Sequence, residues 1–313
     1  MRSKQWVLFA LLSLAWGASF LFIKLALVEL SPLMIGFVRL VIASATMWII
    51  AVATGRRPRF GRKTWLTLAA MGLFNNSLAF VLIPWGEQYI PSSLAAILNS
   101  TVPLFTIVLA HFFVSDERLT NRRVGGLVIG FSGVVVLMAP QTAGKTSDLG
   151  NLDSLLGNLD SLLGSLAIVV ASVCYAIATV IGRRNLRGEQ PVLTSATQVS
   201  FGALWLLPLV LLSGGLPTLA GVSPFIWASM LWLGAVGSGL AYLLYFMLLR
   251  EVGATQVVVV TYVLPFIGVT LGVLLLNEPL TWSMIAGLGL ILAGLIAING
   301  VPGRRVKPQP AAS

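Results

Sequence analysis

The chain has 313 residues, 57% of them hydrophobic and only 10% charged, with a mean hydropathy of +0.94. Too little polar surface is available to cover a water-soluble globule, so the composition excludes a soluble domain and points to a bilayer. The net charge of +10 would suit a nucleic-acid binder, but the cations are scattered over short loops without interleaved aromatic residues, which argues against that partner.

About 18 or more apolar residues are needed to cross the hydrocarbon as helix, and this chain supplies such runs repeatedly. The first span, roughly Trp6 to Val28, is too long for a signal h-region and is read as a retained helix carrying Trp16 and Lys24. The second, Pro32 to Ala53, carries Arg39, and the third, Thr64 to Ile83, carries Asn75 and Asn76. The fourth, Pro91 to Val114, contains Asn99, Ser100, Thr101 and Pro103, with His111 near its end. The fifth runs from Val124 to Ala139. Residues 141–162 form a linker in which the heptad Asn151 to Gly157 is repeated at once as Asn158 to Gly164; it either extends the sixth helix or is an expanded loop. Leu163 to Ile181 holds Cys174 and Tyr175, Val192 to Leu212 holds Gln198, and Phe225 to Leu249 holds Tyr242. The ninth span, Ala254 to Leu276, contains Gln256, Thr261, Tyr262 and Pro265, and Trp282 to Ile298 is the tenth. Residues 301–313 read as a basic, disordered tail.

The order of landmarks is repeated. Glu117 and Glu278, Gly126 and Gly287, and Gly133 and Gly294 are each 161 residues apart, and Pro103 and Pro265 are separated by 162. The chain therefore divides into two similar five-helix repeats, residues 1–140 and 163–300. With the N-terminus cytoplasmic, 17 of the 20 Lys and Arg fall on the cytoplasmic side, which supports an even number of spans with both termini inside. An odd number of spans per half makes the repeats inverted, an arrangement that gives secondary transporters two alternative accesses from one fold. The expected architecture is all-α: ten transmembrane helices as two inverted five-helix repeats around a central cavity.

No catalytic constellation is present. There is one histidine and one cysteine, with no metal-ligand spacing and no nucleotide-binding or nucleophile motif, so the sequence gives no grounds for an enzyme, a cofactor or a metal. The matched prolines carry more information. Pro103 removes an amide donor opposite the carbonyl of Asn99, and Pro265 does the same to Thr261; freed backbone groups at membrane depth need protein or a watery cavity to satisfy them. Trp16, Asn75, Asn76, Thr101, Tyr175, Gln198, Tyr242, Gln256 and Tyr262 are candidates to line the same cavity, since amide and hydroxyl groups are costly against lipid. Lys24 either snorkels to outer headgroups or faces the site. Arg39 lies deeper and needs a partner, for which Glu29, Glu87 and a substrate carboxylate are the candidates.

Trp16-Gly17-Ala18-Ser19-Phe20 with Lys24, the embedded Arg39, Pro103, Glu117-Arg118-Leu119 and, in the second half, Pro265 and Glu278-Pro279-Leu280 resemble the EamA-type branch of the drug/metabolite transporter superfamily. The resemblance covers the whole chain apart from the duplicated heptad. It implies an exporter of amino acids or related metabolites in the bacterial inner membrane, with its cavity lined by helices one to four and six to nine. Expected partners are a small-molecule substrate, the lipid bilayer and protons as coupling ion, with the chain acting as a monomer or weak homodimer. A passive channel for small polar metabolites is the alternative.

Overall fold

Inside hydrocarbon every backbone N–H and C=O must find its partner within the chain. The computed structural model describes residues 3–53, 55, 58–114, 119–142, 152–252, 257 and 259–299, and among them there is no strand. The first half holds α1 (Ser3–Gly17), α2 (Ser19–Ala26), α3 (Pro32–Ala53), α4 (Arg62–Met71), a first π segment (Gly72–Leu78), α5 (Ala79–Glu87), α6 (Ser92–Asn99), α7 (Val102–Phe113) and α8 (Asn121–Thr142). The second holds α9 (Leu152–Asn185), α10 (Pro191–Leu212), a 3₁₀ turn (Leu216–Gly221), α11 (Pro224–Leu231), a second π segment (Trp232–Leu240), α12 (Ala241–Val252), α13 (Val259–Leu276) and α14 (Trp282–Asn299).

Among the described residues nine stretches are long and apolar enough to cross a membrane, from Lys4–Ala26 to Val259–Leu276, and Trp282–Ile298 is a shorter apolar helix. The most exposed side chains include Leu212 at 85% and Trp282 at 84%, a surface suited to lipid and not to water. Contacts between helix ends group them into two faces. Lys4 pairs with Glu251 at 2.6 Å, Thr64 donates to Glu189, and Arg122 donates to the carbonyl of Ala297 on one face. On the other, Ser223 N donates to Glu29, and Ser92 N and Ser93 N donate to Glu278.

Lipid tails are as apolar as leucine, so helices in a membrane associate through close packing, for which small residues are needed. Between α8 and α14 a Cβ added at Gly126 would lie 2.7 Å from the carbonyl oxygen of Gly294, and one at Gly133 would lie 2.7 Å from that of Gly287. The same holds between the π segments and their neighbours: a Cβ at Gly72 would meet Gln198 O at 2.8 Å, and one at Gly234 would meet Arg39 O at 3.0 Å.

The two prolines behave differently, which corrects the expectation of matched breaks. α6 ends at Asn99 and α7 begins at Val102, so Pro103 stands in the first turn of a new helix, where a missing N–H costs nothing. Pro265 lies within the continuous helix α13. The cause is local. Ser100 and Thr101 turn their hydroxyls back onto the carbonyls of Ile97 and Leu98, each at 2.6 Å, closing a tight turn. Tyr262 and Val263 occupy the corresponding places in the second half, and neither offers that short-range hydroxyl.

The duplicated heptad is mostly helical. α9 begins at Leu152, within the segment read as linker, and extends 34 residues, about 50 Å at 1.5 Å per residue. Gly164, the last residue of the second copy, packs against Gly86 O and Tyr89, whereas a Cβ at Gly157, its counterpart in the first copy, would meet nothing. Glu117, Arg118, Gln256 and the tail 301–313 lie outside the described residues.

Candidate functional site

Polar side chains at membrane depth have to be satisfied by one another, and here they form a seam that joins the two halves. Arg39, on α3, is 7% exposed. Its Nε donates to Ser238 Oγ at 3.0 Å, and its guanidinium carbon lies 3.9 Å from the centre of the Phe80 ring, an arrangement of cation over aromatic face. Asn75 Nδ2 donates to Tyr242 Oη at 3.0 Å, and Gln198 Nε2 donates to Asn76 Oδ1 at 2.7 Å. Each of these hydrogen bonds joins a residue of the first half to one of the second.

The two π segments set this geometry. An i→i+5 turn inserts one residue into the helical register and rotates the side chains that follow, and such turns recur at functional sites. In the first segment Ser77 Oγ donates to Gly72 O at 3.1 Å and approaches Gly202 O at 2.9 Å; in the second Ser238 Oγ donates to Leu233 O at 2.9 Å. Both serines thus satisfy a carbonyl five residues back, and they are 161 positions apart. Beyond the segments, Phe80 lies under Arg39 and Tyr242, its counterpart 162 residues later, accepts from Asn75.

Other candidates are dispersed. Trp16 packs its ring against Tyr245, 5.8 Å between centroids, beside the second π segment and α12. Tyr175, on α9, lies near enough to Arg39 to interact with it electrostatically, as does Tyr242. Thr101 is buried but spends its hydroxyl on the Leu98 carbonyl near the end of α6, and Asn99, the last residue of α6, leaves its Oδ1 buried with no hydrogen-bond partner. Tyr262 is 9% exposed on α13.

Lys24 belongs to a separate cluster at the α5–α6 turn. Its ammonium donates to the main-chain oxygen of Glu87 and to that of Ile90 at 3.0 Å, so it neither snorkels nor reaches the seam. Neither acid considered as a partner of Arg39 pairs with it: the Glu87 carboxylate is buried without a hydrogen-bond partner, and Glu29 is engaged elsewhere. Glu29 accepts from Ser223 N at 2.7 Å at the start of α11, and among the described residues no carboxylate stands within ion-pair distance of Arg39. The hydrogen bond from the Ser223 backbone holds the Glu29 carboxyl below its ordinary range, and the Ser223 side chain adds to the effect. Burial pushes Glu278 up, but the hydrogen bonds from Ser93 and Ser92 outweigh it and leave its carboxyl below the ordinary range.

Phe80, Ser77 and Ser238 were not singled out from the sequence. One signal was available for the serines: a small polar residue recurring at the same 161-residue offset as the glycines, within Gly-rich apolar runs. For Phe80 the signal is its repeat partner Tyr242, 162 residues later, since a phenylalanine in an apolar span otherwise looks like any other.

Comparison with known proteins agrees with this arrangement. The EamA-like transporter family matches residues 4–139 and again residues 162–300, one match per half. An uncharacterized transporter of Archaeoglobus fulgidus is 30% identical over 295 residues, covering 94% of this chain and 98% of its own length. The transporter YvbV of Bacillus subtilis is 25% identical over the full chain and 95% of its own length. A probable terminal-alkyne amino-acid exporter of Streptantibioticus cattleyicolor is 31% identical over 123 residues, 39% of this chain and 40% of that one. A crystal structure with 19% identity covers 97% of this chain and 100% of its own, with a TM-score of 0.62, which shows a shared fold. Matched along both halves and over nearly its whole length, this multi-pass membrane protein belongs to the EamA-like transporter family.

Proposed function

We propose that the protein is a secondary carrier that exports small carboxylate-bearing metabolites, most simply amino acids, by alternating access between two inverted halves. The observation that carries the reading is Arg39: a guanidinium buried at membrane depth, positioned by Ser238 and Phe80, with no carboxylate among the described residues within ion-pair distance. An arginine in that setting calls for an anion, and a substrate carboxylate fits its planar fork. Phe80, Tyr175 and Tyr242 around it offer flat surfaces for an apolar or aromatic side chain.

The contacts support inversion because they exchange under the repeat. Gly126 meets Gly294 as Gly133 meets Gly287, and Gly72 meets Gln198 as Gly234 meets Arg39. Such reciprocity is what a two-fold axis between the halves produces, and an odd number of spans per half lays that axis in the membrane plane. The distribution of cations supports cytoplasmic termini, and the resemblance to EamA-type carriers implies the bacterial inner membrane. The exporter from Streptantibioticus cattleyicolor lends support to amino acids as the substrate class.

Counterflow in proteoliposomes tests this. Purified protein preloaded with unlabelled amino acids should accumulate labelled ones saturably; absence of counterflow for every amino acid and related carboxylate overturns the substrate class. Unsaturable flux without exchange would instead mark a passive channel.

A further inference from the structure

The turn between α5 and α6 is held by two opposite charges. Lys24, from α2, places its ammonium on the last carbonyl of α5 and on that of Ile90 in the turn, and the Glu278 carboxylate, from the segment before α14, accepts from the first amides of α6, at 2.7 Å from Ser92 N and 2.9 Å from Ser93 N. A cation at a helix C-terminus and an anion at the next N-terminus each complement the local dipole. Glu87 sits between them. It is 0% exposed, and neither of its carboxylate oxygens has a hydrogen-bond partner.

The position of Lys24 is informative. Its ammonium bonds the main-chain oxygen of Glu87 itself and leaves that residue's carboxylate unpaired. An ionised carboxylate in such a place, desolvated and without a single donor, is strongly disfavoured, and a neutral acid far less so. The charged groups facing it are Lys24 from α2, Arg39 from α3 and Glu278 from the segment before α14. On α9 the residues that meet neighbouring Gly86 are Gly164 and Ile168, and Asp160 lies exposed one turn outward.

We propose that Glu87 is a proton-binding site of the transport cycle: it holds a proton in the conformation described here and releases it when Lys24 leaves the main-chain carbonyls to pair with the carboxylate. The O–H bond breaks, the proton passes to water, the electron pair stays on the carboxylate, and Lys24 keeps its charge throughout. The ion pair thus replaces the proton. Because Lys24 would let go of the α5 C-terminus to form it, the protonation state of Glu87 sets whether the α5–α6 turn is clamped. The use of this proton rests on the carrier reading; its presence on Glu87 does not.

Infrared difference spectroscopy on the full-length protein in liposomes reads the proton without any substrate. The expected result is the carbonyl stretch of a buried carboxylic acid, lowered in D₂O and disappearing as pH is raised, and absent from Glu87→Gln. Glu87→Asp should keep such a band, which guards against misfolding of the glutamine variant. Lys24→Met removes the cation that favours the ionised form, so the band should persist about one pH unit or more higher. A wild-type protein without the band at any pH, or a Glu87→Gln protein that retains it unchanged, overturns the proposal. Counterflow of labelled amino acids separates the two readings. Glu87→Gln should exchange them with loss of the acceleration by an imposed pH gradient, whereas a titrating band in a protein that moves none of them leaves the proton site and overturns the substrate class.

Discussion

At one structural level the two halves of this protein are copies, and at another they are opposites. Gly72 and Gly234 bring the π segments against α10 and α3 in the same way, at Gln198 in one case and at Arg39 in the other. Where the second half offers an amide, hydrogen-bonded to Asn76, the first offers a buried charge that makes no ion pair among the described residues. Likewise the fourth span breaks at Ser100-Thr101 while α13 runs unbroken through Pro265. The repeated part is packing, which any apolar sequence with glycines in the right places can supply. The buried cation, by contrast, stands in one copy only.

The largest effect should come from erasing that difference. Arg39→Ala is expected to abolish counterflow, a loss of about 100-fold or more, since a charge-assisted contact to a desolvated carboxylate is worth roughly 2–5 kcal/mol. Arg39→Lys should retain part of it, and Gln198→Ala should cost about tenfold or less. Equal losses at residues 39 and 198 would mean that the halves contribute alike.

Next in size is the shared packing. Gly133→Val inserts side-chain atoms where a Cβ already lies 2.7 Å from Gly287 O, and it should lower stability by about 1–3 kcal/mol in a detergent melt. Gly294→Val should act similarly, because the contacts are reciprocal; a large gap between the two would break the symmetry. The helix interruption comes third. Thr101→Val and Ser100→Ala remove the hydroxyls that close the turn at Ile97 and Leu98, and the double variant should reduce transport about tenfold, with Pro265→Ala changing it about threefold or less.

The smallest effect concerns Glu278. Its folded carboxyl is held below the ordinary value of 4.5, so it contributes stability above that value and loses it as pH falls through the lowered one. The melting difference between wild type and Glu278→Gln should therefore be present at neutral pH and close on acidification; a difference that widened would reverse the sign of the argument. A topological test stands beside these. Cysteine labelling at residues 117 and 278 should find them on opposite faces of the membrane, and labelling from one face would end the inverted arrangement.

Much of this protein was written in its order of residues. Apolar runs fix where helices form, because backbone groups in lipid must close on themselves, and the offset of 161 residues between glycines and glutamates declares the repeat without reference to contacts. Arg39, Asn75, Asn76, Gln198 and Tyr242 stood out for a similar reason: polar groups are rare in such runs and expensive when unsatisfied. What the sequence could not decide is pairing. Whether Lys24 snorkels or clamps a turn, whether Glu87 meets Arg39 or is left without a donor, and which ring lies under the guanidinium depend on distances between helices far apart in the chain. The π segments were hidden too, because Gly72–Leu78 and Trp232–Leu240 have the composition of an ordinary helix and acquire their extra residue per turn only when Ser77 and Ser238 reach back to Gly72 O and Leu233 O. Local chemistry determined the helices and marked the residues that lipid would not tolerate; tertiary packing alone chose their partners, since a polar group in a membrane bonds to whichever donor or acceptor the neighbouring helix brings within reach.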